Sequence, residues 1–227
     1  MTGNVLTVPS QVFPSGYIVR ISRYADSILK TEFESQYTQL ISVLEAYSID
    51  LGELVSGGGS RASHTKRFDD SLGTYGWGKR NITISTSLDN VRTSEIRTHE
   101  IDMFCPSDSI TGYPGVAVEV EWNNKDPFFD RDLLNFQALH AGGALAAGVI
   151  VTRGPQLQGL IETTIKTSQN AGFKYGKSST HWDKLVPRVQ LGGGGQCPLI
   201  LIGIEPDRVD GVEKLRELQE SGEFIYP

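Results

Sequence analysis

The stretch Val116-Ala-Val-Glu-Val-Glu-Trp122, running on into Asn123-Asn-Lys-Asp126, alternates valine with alanine or glutamate. Successive side chains of a strand point to opposite faces, so Val116, Val118 and Val120 share one face and Ala117, Glu119 and Glu121 the other. The flanking valines and the long apolar run nearby favour a buried strand, which turns the two glutamates toward protein as well. Two carboxylates two residues apart repel each other and resist desolvation unless a cation lies between them. A hard divalent ion such as Mg²⁺ meets that need, taking oxygen ligands from carboxylates, a backbone carbonyl and water. Asp102, on a separate short strand Ile101-Asp-Met-Phe104, offers a third carboxylate. The opposing possibility is a sheet edge at which both glutamates face solvent.

Outward from this strand the pattern is one of alternating elements. Asp130 through about Ala141 reads as a helix with Asp130 as its N-cap. Ala147 to Thr152 is an uninterrupted apolar run of strand length, and Pro198 to Ile204 is another, so both are expected as buried strands. A helix is expected after Pro155 and a terminal amphipathic helix over Val209 to Glu220. Upstream, Leu29, Phe33, Tyr37, Leu40, Leu44 and Tyr47 form one stripe at helical period, which predicts a single helix from about Ala25 to Tyr47. Ile82, Ile84 and Thr86 alternate with polar neighbours as a half-buried strand does. Strands interleaved with helices imply an α/β layer fold, here one domain over residues 1–227.

Composition bounds the function. With 38% hydrophobic and 21% charged residues the chain can fill a core, which argues against disorder. The longest apolar stretch, Ala144 to Thr152, falls far short of the about 20 residues that span a bilayer. The N-terminal MTGNVLTVPSQ lacks a basic patch followed by an apolar run, so no secretory leader and no membrane partner are expected. Cys105 and Cys197 stand outside any CxxC pair, which favours a reducing compartment, hence the cytoplasm. A net charge of −6 argues against indiscriminate coating of nucleic acid. Local charge matters more, and Arg61, His64, Lys66, Arg67, Lys79 and Arg80 form a basic cluster behind the glycine run Ser56 to Ser60. The four histidines show no HxH or HExxH spacing, so zinc catalysis has no support. Gly192 to Gly195 lacks the GxxxxGK[ST] spacing of a phosphate loop and reads as a turn.

A resemblance sharpens these readings. Thr98-His-Glu-Ile-Asp102, the Val116 to Asp126 block, Phe129-Asp-Arg-Asp-Leu133, Gly148-Val-Ile-Val-Thr-Arg153, Lys177-Ser-Ser-Thr-His-Trp-Asp-Lys-Leu185 and Gly193-Gly-Gly-Gln-Cys-Pro198 together resemble the BglII/BstYI family of type II restriction endonucleases. These pieces run in family order from roughly Ser60 to Ile204, which makes residues 60–204 the expected catalytic core. The resemblance implies the PD-(D/E)XK nuclease fold, a central mixed β-sheet flanked by helices. It places Asp102 and Glu119 as metal-binding carboxylates and Glu121 as the third catalytic residue. Glutamate there departs from the lysine usual in that superfamily, and it can only orient the attacking water or accept its proton.

The same resemblance implies Mg²⁺ as cofactor and double-stranded DNA as substrate, cut at a short palindrome with a GATC centre as the first to try. It also implies 5′-phosphate ends, a homodimer that matches the palindrome's symmetry, and a cognate DNA methyltransferase in the cell. DNA contacts are expected from Asn123, Asn124 and Lys125, with Asn124 foremost, and from Ser178, Ser179, Thr180 and His181. Arg61, Thr65 and Lys66 are expected against the DNA backbone. Arg153 is expected to be structural and Asp132 an ion-pair partner. Competing readings are a repair or structure-selective nuclease of the same fold, a catalytically silent DNA-binding module, and a carbohydrate or nucleotide enzyme that shares only the carboxylate pair.

Overall fold

A computed structural model describes residues 5–56, 61–166 and 175–226. The chain opens with β1 (Leu6–Thr7), β2 (Tyr17–Ser22), α1 (Ala25–Glu32), α2 (Glu34–Ala46), β3 (Ile49–Asp50), α3 (Leu51–Val55) and α4 (Ser63–Gly73). It continues through β4 (Gly78–Arg80), β5 (Thr83–Leu88), β6 (Val91–Arg97), β7 (Ile101–Cys105), β8 (Gly115–Val120) and α5 (Phe128–Ala141). Then follow β9 (Leu145–Arg153), α6 (Pro155–Thr164), α7 (Trp182–Gln190), β10 (Leu199–Ile204), a 3₁₀ turn (Pro206–Arg208), β11 (Val209–Asp210) and α8 (Val212–Ser221).

The apolar runs read from the sequence become the middle of a seven-stranded mixed sheet in the order β1-β2-β10-β9-β8-β7-β4. β10, β9 and β8 are parallel to one another, and β7 and β2 flank them antiparallel. The three parallel strands are covered on both faces, which is why β10, and β9 as far as Val151, are apolar rather than alternating. One face packs Val116, Val118 and Val120 against α1, α2, α3, α4, α6 and α8. The other packs Ala117, Ile150 and Leu201 against α5 and α7. This is the mixed sheet flanked by helices that the sequence implies. The sheet begins upstream of residue 60, since β2 pairs with β10 along its whole length.

Four local readings are corrected. The stripe from Leu29 to Tyr47 is two helices, because Phe33 leaves helical geometry at φ −135°, ψ 46°. The stripe survives the break because α1 packs on β2, β9 and β10 while α2 packs on α1 and α4. The strand expected around Ile84 is present but exposed along most of its length rather than half-buried, and it pairs with β6 in a separate two-stranded hairpin. Asp130 is not the cap of α5: the helix begins at Phe128 behind Pro127, and Asp130 sits in its first turn, paired to Arg188 at 2.8 Å. The terminal helix starts at Val212, after Gly211 turns the chain at φ 87°.

Two close approaches fix the layers. A Cβ on Gly148 would lie 2.3 Å from Phe136, so only glycine lets α5 settle this near β9. At the other end of β9, the Glu205 carboxylate accepts from the backbone N–H groups of Gln156 and Leu157, both at 3.1 Å. That caps α6 from outside, and Pro155 at the helix start needs no donor partner. Cys105 and Cys197 are both free and buried.

Candidate catalytic centre

Glu119 on strand β8 and Glu121 just past its end lie on the α5 side of the sheet, and neither faces solvent: Glu119 is 1% and Glu121 2% exposed. Antiparallel pairing of β7 with β8 runs Cys105 opposite Val116 and Met103 opposite Val118. One step further brings Asp102 alongside Glu119, where the Asp102 N–H donates to Glu119 Oε1 at 3.3 Å. The Asp102 side chain is 39% exposed, so this pair of carboxylates opens to solvent on the Asp102 side. Lys79 on β4 stands over that opening, 2.6 Å from Glu100 Oε1 and 4.0 Å from Asp102 Oδ1.

A fourth carboxylate joins them. Asp132, buried on α5, lies against Glu121 and keeps an Oδ2 with no hydrogen bond. It is the ion-pair partner expected, bound to Arg131 at 2.7 Å. Its place beside Glu121 follows from the close approach of α5 to the sheet, which spacing along the chain does not reveal. Arg131 was not among the expected residues, yet its guanidinium also reaches Glu121 Oε1 at 3.2 Å. The cation lies over the Phe128 ring at 4.4 Å.

Burial dominates the electrostatics. Desolvation raises Glu119 well above the usual carboxylate range, with repulsion from Asp132 and Asp102 adding to it. Glu121 is pushed up to about 8, again first by burial and then by Asp132, while Asn124 and Arg131 pull it back. Burial raises Asp132 as well, against the pull of Arg131. This many acids short of positive charge suits a divalent cation. Among the described residues no three Asp, Glu, His or Cys side chains form a ready-made metal cage. Mg²⁺ does not require one, since it commonly takes one or two carboxylates and fills its shell with water and substrate phosphate. Asp102 and Glu119 fit that role.

The two segments expected to touch DNA meet each other. The Thr180 N–H donates to the Asn124 carbonyl and the Asp126 N–H to the Ser178 carbonyl, both at 2.9 Å, and Lys125 bridges to Ser179. Asn124, Lys125 and Ser178 are exposed and Asn123 is half-buried, so they form an outer rim just beyond Glu121. Ser179, Thr180 and His181 lie behind that rim with buried side chains. Arg153 secures them, donating to Ser179 Oγ at 2.7 Å and the Thr180 carbonyl at 2.8 Å, while the His181 ring pairs with the Ser179 carbonyl at 2.8 Å. The structural role read for Arg153 is this one.

The basic cluster divides between α4 with its approach and β4, which carries Lys79 and Arg80. Arg61 pairs with Asp69, Lys66 with Asp70 and Arg67 with Glu53. Arg61 and Lys66 keep exposed cationic ends, whereas Thr65 is buried. His64, Phe68 and Leu72 repeat every fourth residue along this helix and are all buried, a signal the charges mask in the sequence. The His64 ring meets Trp122 edge-on at 4.3 Å, which ties α4 to the residue following Glu121.

A family model described as restriction endonuclease BglII/BglIII matches residues 17–204. No curated protein matches the chain.

Proposed function

The chain belongs to the BglII/BglIII restriction endonuclease family, and from that membership we propose a Mg²⁺-dependent, homodimeric type II enzyme that cuts a short palindrome in double-stranded DNA. The family makes it a nuclease that acts on DNA. The observation that carries the finer reading is the position of Asn124: it follows Glu121 directly out of β8, and its amide lies 2.8 Å from the Glu121 carboxylate. Residues that touch bases and residues that cut therefore share one rigid frame.

Asp102 and Glu119 would hold the Mg²⁺. Positive charge supplied at these two carboxylates would make water a stronger nucleophile and offset the charge that builds on the phosphodiester. Glu121 orients the attacking water and takes up its proton, and Arg131 and Asn124 hold the two oxygens of that carboxylate. Lys79, whose charge is already drawn to the carboxylate opening, steers the DNA backbone toward it. Asn123, Asn124, Lys125 and Ser178 face the major groove, while Ser179, Thr180 and His181 shape the turn from behind. Arg61 and Lys66 meet backbone phosphates, and Thr65 packs beneath them.

A two-fold dimer reads a palindrome economically, each subunit cutting one strand to leave a 5′-phosphate. A GATC-centred site is the first to try. A methyltransferase of matching specificity protects the host DNA, and the enzyme works in the cytoplasm. Among the described residues no helix is long and apolar enough to cross a membrane.

Digestion of a fully sequenced plasmid with Mg²⁺ and with EDTA, followed by sequencing of the ends, tests this reading. Discrete Mg²⁺-dependent fragments sharing one palindrome are expected. Smearing, or cutting only of branched DNA, would contradict it and favour a structure-selective repair nuclease of the same fold.

A further inference from the structure

Both oxygens of Glu121 are already engaged within the protein. Arg131 donates to Oε1 at 3.2 Å and Asn124 Nδ2 to Oε2 at 2.8 Å. The two donors differ in kind. Arg131 is anchored on the body of the protein by Asp132 at 2.7 Å and by the face of Phe128 at 4.4 Å. Asn124 is exposed on the outer turn, and the described residues provide its side chain with no other hydrogen bond. Its backbone, by contrast, is fixed, since its carbonyl accepts from Thr180 and the next two residues pair with Ser179 and Ser178. Only rotation about the side-chain bonds remains to set the direction of the Asn124 amide.

A side-chain amide carries two N–H donors and one acceptor oxygen. One N–H is used on Glu121. The remaining N–H and the Oδ1 atom form the pair that matches the N6 donor and N7 acceptor of adenine in the major groove. We propose that Asn124 bridges an adenine of the recognition site to Glu121, so that reading the base fixes the direction of the carboxylate. Asn124 is then a positioning residue for the reaction as well as a base contact. With the correct base, the amide is held at both ends and Glu121 is clamped between two fixed donors. With another base, the amide has one end loose, and Glu121 keeps only Arg131 as a rigid partner. Discrimination then appears in the rate of the chemical step more than in binding.

This rests on the site-specific nuclease reading above, and the test separates the two. Cleavage is followed for wild type and Asn124→Ala on the site found by plasmid digestion and on the same site with its adenine replaced. For wild type, replacing the adenine is expected to lower kcat about tenfold or more, the scale of one lost hydrogen bond to a charged group. Asn124→Ala is expected to lower kcat on the correct site to a similar level, with a much smaller change in KM. On the altered site the variant and wild type should then cut at nearly equal rates, because the two losses share one cause and do not add. Asn124→Leu keeps the size of the side chain without its amide and adds no charge, so it should match the alanine variant, and melting curves verify that both are folded.

Additive losses would overturn the bridge, as would a loss confined to KM, which marks a plain base contact. Wild-type protein that yields no discrete fragments would instead overturn the nuclease reading beneath it.

Discussion

Two neighbouring strands each end in a buried charge, on opposite faces of the sheet, and the protein treats them differently. Arg153, the last residue of β9, is packed over the Tyr175 ring at 4.8 Å and the Trp122 ring at 5.5 Å. It donates to Ser179 and Thr180, and burial brings its pKa down to about 9. Aromatic faces, a hydroxyl and a carbonyl hold this cation through Nη2, while Nε and Nη1 find no hydrogen bond among the described residues. Just past β8 on the other face, Glu121 lies with Glu119 and Asp132 among acids that repel one another, with Arg131 the cation bonded to two of the three. The arginine is held by uncharged groups of the fold through one end of its guanidinium, whereas the carboxylates repel one another and call for a cation. Losing the arginine should therefore cost stability, and losing a carboxylate should cost chemistry and little or no stability.

The largest effect expected from that contrast is on turnover. Glu121→Ala should lower cleavage by about 10² to 10⁴, the usual contribution of a positioned proton acceptor. Its melting temperature at pH 8 should remain near or above that of wild type, and a collapsed fold would break the contrast. Next comes Arg153→Ala, expected to lower the unfolding free energy in urea by about 3 kcal/mol, since it leaves a cavity and strands the Ser179 and Thr180 bonds. Arg153→Met, which refills the volume without charge, should lose clearly less. A smaller loss of about 1–3 kcal/mol is expected for Gly148→Ala, whose Cβ would press on Phe136. Because α5 carries Arg131 and Asp132, that variant should also cut more slowly, which a stability change alone would not produce.

The same contrast predicts a pH dependence of the fold in EDTA. Folding raises the Glu121 carboxyl from 4.5 to about 8, so the folded protein holds a proton that the unfolded chain releases. The stability linked to that proton is full below about 4.5 and lost as pH rises through about 8. Urea midpoints should fall across this window, and Glu121→Gln should flatten the fall. A midpoint that rises over the same range would show that the carboxylates are satisfied in the protein alone.

Much of this was legible in the sequence because period and burial coincide there. The alternation from Val116 to Glu121 fixes which face carries the carboxylates, and the apolar runs of β9 and β10 mark the strands covered on both sides. The break at Phe33 was not legible, because the apolar stripe continues through it while the two helices pack on different neighbours. Arg131 was hidden for another reason. On α5 it looks like any exposed helical cation, and only the approach of that helix, permitted by Gly148, brings it to Glu121. The junction of the Asn124 turn with Ser178 to Thr180 is a long-range backbone pairing with no local signature. His181 shows the converse limit: a residue type suited to DNA contact can lie buried behind an exposed turn.

Glu119→Ala, assayed side by side with wild type for cutting and for binding of one DNA fragment, goes most directly to the claim that the paired ends of β7 and β8 form the catalytic centre. Binding is measured in Ca²⁺, where the correct DNA should be held without turnover, and cutting in Mg²⁺. The variant should bind the fragment about as tightly as wild type and leave it intact. Mg²⁺-dependent cutting that survives the substitution would place the catalytic centre elsewhere in the protein.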